Sequence, residues 1–368
     1  MKKLFVYIGT YTTDSYSEGI YVYQFDLSTG GLTRVGSTSG IDNPSFLRIT
    51  TDGQFLYSVS EVAEVNGVQG GAVSGYAINK QTGALTYLNS QTTHGAYPCH
   101  VSIDQTDQYV LVSNYMGGNI AMLPIQKGGI LGPATDIAQH KGCSNVNPER
   151  QEGPHAHSVT ITPDNKFALA ADLGKDMLIP YKIDLEKGKL LPYNNGQIEV
   201  RPGQGPRHID FHPNGRFVFL LNELGNTINS YQYDTEKGTL VLIDTISSLP
   251  NYFNGENVSA DIHVHPNGKF LYASNRGHNS IIICGINIQN GTLEVLGFQS
   301  TMGAHPRNFG IDPTGNFLLV ANKDSNSIFI FNIDSKTGEL TPNDQQITIP
   351  QPVCIAFMST TDFETTKI

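Results

Sequence analysis

Short apolar runs alternate with polar turns along the whole chain. In the clearest case Ile209 and Phe211 alternate with polar residues, and Pro213-Asn214-Gly215 reverses the chain. A second run, Phe217 to Leu221, then ends on Asn222-Glu223. Two short β-type runs joined by a Pro/Asn/Gly cluster predict a hairpin. The same hairpin recurs around Thr51-Asp52-Gly53, Gln105-Thr106-Asp107, Pro163-Asp164-Asn165, Pro266-Asn267-Gly268 and Pro313-Thr314-Gly315. A glycine followed two residues later by leucine appears seven times, at Gly30, Gly83, Gly129, Gly188, Gly238, Gly291 and Gly338, with spacings of 46 to 59 residues. A residue opens each unit: Pro44, Pro98, Pro154, Pro206, Pro306 and Pro352, with Ser259 in the equivalent place. A repeat of about 50 residues built from four short strands predicts an all-β fold, a seven-bladed β-propeller. The expected division is one domain over residues 1–358 and a C-terminal tail at 359–368.

The ends complete each other. Leu4 to Thr10 matches the second strand of a unit and lacks the first, whereas Pro352 to Phe357 matches a first strand and lacks the second. Pairing the C-terminal strand with the N-terminal blade closes the ring and removes the free sheet edges that invite aggregation.

Alignment of the units yields two rings of positions. The first-strand ring is Ser45, Cys99, His157, Arg207, Ala260, Arg307 and Val353. The second-strand ring is Thr10-Tyr11, Ser60-Glu61, Asn114-Tyr115, Asp172-Leu173, Asn222-Glu223, Asn275-Arg276 and Asn322-Lys323. Antiparallel pairing sets the start of one strand beside the end of the next, so both rings are expected at one mouth of a central channel. Chemistry concentrates there in successive units: His157 with His155, Arg207 with Glu223, Asp261 with Arg276, and Arg307 with Lys323. His208 and Asn222 adjoin them. Two long stretches, Gly132 to Gly153 and Glu61 to Gly71, are expected to lie over the same mouth, where binding loops on a rigid scaffold usually sit.

These residue types fit the capture of an anion. Arginine binds carboxylate or phosphate in a bidentate fork, although each of Arg207, Arg276 and Arg307 could also pair structurally with Glu223 or Asp261. Glu223 is a candidate general base or substrate orienter, and His157 a candidate for proton transfer. His155 and His157 are two apart on a strand and could ligate zinc, but a third ligand is required and no spacing supplies one. The reading is no metal and no cofactor. His212, His263 and His265 are read as structural. No GxSxG elbow, phosphate-binding loop or dinucleotide fingerprint is present.

Composition narrows the classes. The net charge of −10 argues against nucleic-acid and anionic-membrane partners, so an anionic small molecule needs a local cationic cluster. Cys99, Cys143, Cys284 and Cys354 form no CxxC pair and are expected to be buried, reduced thiols. The apolar run after Met1-Lys2-Lys3 is too short for a signal peptide, and a cytoplasmic protein is the expectation. The sequence sets no oligomeric state.

At Gly153-Pro154-His155-Ala156-His157-Ser158, Gly205-Pro206-Arg207-His208, Asn222-Glu223-Leu224 and Ser274-Asn275-Arg276-Gly277-His278 the chain resembles the seven-bladed lactonase family, which includes propeller-type 6-phosphogluconolactonase and carboxymuconate cyclase. The resemblance implies a metal-independent site that opens or forms lactones. It places the family's His, Arg, Glu and Arg on His157, Arg207, Glu223 and Arg276. Asp261 stands where many relatives carry glutamate. The expected reaction is hydrolysis of a sugar lactone, 6-phosphogluconolactone to 6-phosphogluconate, with water activated by Glu223 or His157 and arginines clamping the anion. The alternatives are cycloisomerisation of a muconate-type diacid at the same site and a non-catalytic propeller binding a protein or peptide on its mouth. The second fits less well, because peptide-binding surfaces favour exposed aromatics, whereas this chain has no Trp and gathers charge at the mouth, which suits a small anion better.

Overall fold

The computed structural model describes residues 4–193 and 197–358, and the tail expected at 359–368 lies outside them. Among the described residues the regular elements are β-strands, and seven antiparallel sheets form the blades of a β-propeller. The fifth blade shows the pattern: Pro206–Phe211, Phe217–Asn222, Thr227–Asp234 and Thr239–Ser247 pair in that order. The first strand of each blade packs beside the first strand of the next, which places these strands around the axis. The second strands are covered on both faces by neighbouring blades, and Phe217–Asn222 is buried throughout. This double burial is why such strands read as continuous apolar runs. The outermost strands are largely solvent-facing, and along Thr239–Ser247 only Leu240 is buried.

Ring closure follows the expected half-units. Pro352–Phe357 pairs antiparallel with Leu4–Thr10, with Ile8 opposite Ile355 and Val6 opposite Phe357. An apolar cluster that includes Leu4, Ile8, Phe25, Phe317, Ile328 and Ile355 seals the joint between the last blade and the first.

The repeated glycines tie blade to blade. Gly291 has φ +78, and a Cβ there would lie 2.6 Å from the Phe217 ring of the preceding blade and 2.8 Å from Ile243. Only a residue without a side chain adopts that conformation against that ring. The other six contact Phe5, Phe55, Tyr109, Phe167, Phe270 or Phe317 in the same way. His212 and His265, read as structural, also bridge blades: their Nε2 atoms bond the Gly268 and Gly315 carbonyls at 2.7 and 2.8 Å.

The stretch from Gly132 to Gly153 is not all loop. Asp136–Gln139 pairs with Asn119–Pro124 as the outermost strand of the third blade, so only the segment after it crosses to the next blade. Within the stretch from Glu61 to Gly71, Glu64–Val65 pairs with Val68–Gln69 as a small hairpin.

Candidate active site

At the mouth of the channel the first strands break register. Cys99, His157, Arg207 and Arg307 each fall in a bulge, between Pro98 and His100, Ala156 and Ser158, Pro206 and His208, and Pro306 and Asn308. A bulged residue leaves the ladder and its side chain is re-aimed. Ser45, Cys99, Arg207, Arg307 and Val353 line a narrow throat there.

Glu223 lies at the centre of this cluster. Its amide donates to the Gly205 carbonyl at 2.7 Å and its carbonyl accepts from Ser259 at 3.1 Å, which fixes it between two blades. Its carboxylate, 3% exposed, meets three guanidiniums: Arg150 Nη2 at 2.6 Å on Oε1, and Arg207 Nε at 2.8 Å and Arg276 Nη2 at 3.0 Å on Oε2. Burial opposes ionisation, but the charges of Arg276, Arg207 and Arg150 outweigh it and hold the carboxyl well below its ordinary range. Arg207 and Arg276 are anchored behind. Arg207 donates to the Ala260 carbonyl, and Arg276 to the Val258 and Ser259 carbonyls at 3.3 and 2.9 Å. Burial brings Arg276 down to about 10, so it stays cationic at neutral pH.

His157 Nε2 lies 3.5 Å from Glu223 Oε2, and its ring sits edge-on to Tyr115. Burial and the Arg207 charge push its pKa well below that of a free histidine, so the ring is a neutral imidazole at physiological pH. Cys99 Sγ donates to the His157 carbonyl at 3.2 Å, and burial pushes the thiol pKa up, away from thiolate chemistry.

Arg307 forms a separate group. Its guanidinium is 3.8 Å from Glu61 and 5.5 Å above the Tyr11 ring, and the Tyr11 hydroxyl donates to the Glu61 carboxylate at 3.0 Å. Around this mouth four guanidiniums face two buried or half-buried carboxylates, although the chain as a whole carries −10.

Several candidate residues sit elsewhere than expected. Asp261 does not meet Arg276. The inner strand of the sixth blade bulges between Ser259 and Ile262, and Asp261 turns down the channel. There its Oδ1 accepts from His208 Nδ1 at 2.7 Å and its Oδ2 is 3.0 Å from His263 Nε2. Arg207 Nη1 donates to His208 Nε2 at 3.2 Å, so His208 is the Nδ1–H tautomer, buttressing Arg207 from behind rather than facing the mouth. His263 and His265 part company: His263 faces Asp261 and Asp210 in a cavity of about 130 Å3 at the far side of the throat, whereas His265 binds its neighbouring blade. Asn222 turns away from Glu223, as adjacent strand residues do, and its amide is spent on Thr227 and Asn229. Lys323 pairs with its neighbour Asp324 at 2.8 Å. His155 lies outside the strand, stacked on Tyr115, with Nδ1 at the Tyr115 carbonyl and Nε2 at Glu152, so it does not pair with His157.

Arg150 was missed in the sequence. It lies in the segment flagged as a mouth loop and, with Lys141, is one of its two cationic residues; that combination was the available signal.

The family model described as "Lactonase, 7-bladed beta-propeller" matches residues 5–357. A Bacillus subtilis (strain 168) protein named 6-phosphogluconolactonase is 37% identical over 358 residues, 97% of this chain and 99% of that protein. A Bacteroides fragilis protein of known structure is 39% identical, with a TM-score of 0.90 over 97% of this chain and 98% of that one. The periplasmic gluconolactonase PpgL of Pseudomonas aeruginosa is 30% identical, with a TM-score of 0.91 over 97% of this chain and 99% of that one.

Proposed function

The chain belongs to the seven-bladed β-propeller lactonase family, and on that premise we propose that it hydrolyses 6-phosphogluconolactone to 6-phosphogluconate with His157 as general base. The observation that carries the assignment of roles is the carboxylate of Glu223, already holding three guanidiniums. A carboxylate so stabilised has little affinity for a proton, which leaves the neutral imidazole as the better base.

In this mechanism His157 Nε2 takes a proton from water as the water oxygen attacks the lactone carbonyl carbon. The carbonyl oxygen becomes an oxyanion, stabilised by Arg207 and Arg276; removing one such donor typically costs about 3–4 kcal/mol of transition-state stabilisation. Collapse of the tetrahedral species breaks the ring C–O bond, and the imidazolium returns its proton to the leaving alkoxide. Glu223, 3.5 Å from Nε2, stabilises the transient imidazolium and keeps the arginines in place.

The name of the Pseudomonas aeruginosa relative favours a second reading, an unphosphorylated gluconolactone as substrate. Initial rates on freshly generated 6-phosphogluconolactone and on δ-gluconolactone, corrected for spontaneous opening, separate the two. Faster turnover of the phosphorylated lactone is the expected result. The acid limb of kcat/KM should fall well below pH 6.5, because the base must be unprotonated and its pKa is lowered. An acid limb at or above that pH, or no turnover, overturns the assignment.

A further inference from the structure

The three guanidiniums on Glu223 are not equivalent. Arg207 and Arg276 are 2% and 7% exposed and are pinned by backbone carbonyls of the sixth blade. Arg150 is 37% exposed, and besides Glu223 its guanidinium meets the Tyr115 hydroxyl at 3.4 Å. It can leave the carboxylate without stranding a carbonyl, and Glu223 would still hold two cations.

The backbone that presents Arg150 is nevertheless fixed. Ser144 is tied through its amide to the Gly174 carbonyl at 2.8 Å and through its hydroxyl to Asp176 at 2.6 Å. Gln151 is fully buried, and its amide side chain donates to the Leu173 carbonyl at 2.8 Å. Arg150 and Gln151 also bond back to the Asn147 carbonyl at 3.1 and 2.7 Å, closing a tight turn. The crossing segment therefore places one guanidinium at the rim on a rigid support, with only the side chain free to turn.

The charges indicate what it turns towards. Arg307 is matched by Glu61, and Lys323 by Asp324, one anion to each cation. Around Glu223 three cations share one anion, a local surplus of two positive charges. The buried pair suffices for a carbonyl that becomes an oxyanion. A phosphoryl group on an exocyclic carbon lies away from that carbonyl and needs its own donor, nearer solvent.

We propose that Arg150 is the residue that selects a phosphorylated lactone, exchanging Glu223 for the substrate's phosphoryl oxygens when the site fills. This rests on the lactonase reading and deepens it. A charge-assisted bidentate contact of this kind discriminates by about 10- to 100-fold.

The test compares the intact protein with R150A and R150K on both lactones. It adds calorimetric titration of the two product acids, 6-phosphogluconate and gluconate, which does not depend on turnover. R150A is expected to lower kcat/KM for 6-phosphogluconolactone about 10- to 100-fold more than for δ-gluconolactone, mainly through KM, with partial recovery in R150K. It should also abolish the affinity advantage of 6-phosphogluconate over gluconate. An unchanged ratio between the two lactones, or between the two acids, overturns the role of Arg150. Absence of turnover of both lactones by the unsubstituted protein overturns the lactonase reading instead, and the two titrations then decide the role of Arg150 by themselves.

Discussion

Glu223 serves two purposes at the scale of the residue, and a single substitution removes both. As the shared anion it neutralises buried guanidiniums; as a neighbour of His157 it stabilises positive charge formed during catalysis. Removing one partner of a buried ion pair leaves uncompensated charge, so Glu223→Gln is expected to destabilise the protein by about 3–5 kcal/mol as well as to slow turnover. The sign with pH follows from linkage. The folded-state pKa of Glu223 is depressed below the ordinary 4.5, so its contribution is fully present above that pH and is lost as pH falls through the folded value. Urea unfolding of both forms should therefore show a gap that is constant above about pH 4.5 and shrinks progressively as the pH falls below it. A gap that stays the same through that acid range would mean that Glu223 is not the depressed group.

Elements explain why the inner strands, and not the outer ones, carry the chemistry. Bulges at Cys99, His157, Arg207 and Arg307 take these residues out of the hydrogen-bond ladder, so the throat is lined without unpairing a blade. Turns have a complementary role at the rim of each sheet, where a glycine accepts the aromatic ring of the preceding blade. Gly291→Ala combines a left-handed backbone with a Cβ 2.6 Å from the Phe217 ring. It is expected to cost about 2–4 kcal/mol, seen as a lower urea midpoint with the slope unchanged. A cost below about 0.5 kcal/mol, within the range of ordinary surface substitutions, would show that the ring yields freely.

The whole molecule depends on closing the circle. The first blade finds its fourth strand in Pro352–Phe357, which pairs with Leu4–Thr10 from the far end of the sequence. Truncation after Pro350 exposes the edge of Leu4–Thr10 and uncovers Ile8 and Phe25 at the joint. The expected result is loss of cooperative unfolding and concentration-dependent association, read by light scattering and denaturant titration. A monomeric, cooperatively folding truncation would mean that the remaining six full blades close without the last strand. The local surplus of cations at one mouth also belongs to this scale, since the four guanidiniums come from four different segments of an acidic chain.

The seven-fold pattern was legible in the sequence because it is written locally. Each turn, each Gly/Leu pair and each apolar run is decided within a few residues, and repetition makes a weak signal strong. The convergence of His157, Arg207, Glu223 and Arg276 was legible too, because equivalent positions in a ring of repeats must share a mouth. Tertiary structure alone decided the rest. Asp261 faces down the channel because a bulge re-aims it, and His155 lies outside its strand, stacked on Tyr115. Arg150 reaches Glu223 from a crossing segment whose course no repeat position encodes. Periodicity reports which face a residue shares with its neighbours in sequence, whereas a bulge or a crossing segment is settled by contacts with other blades.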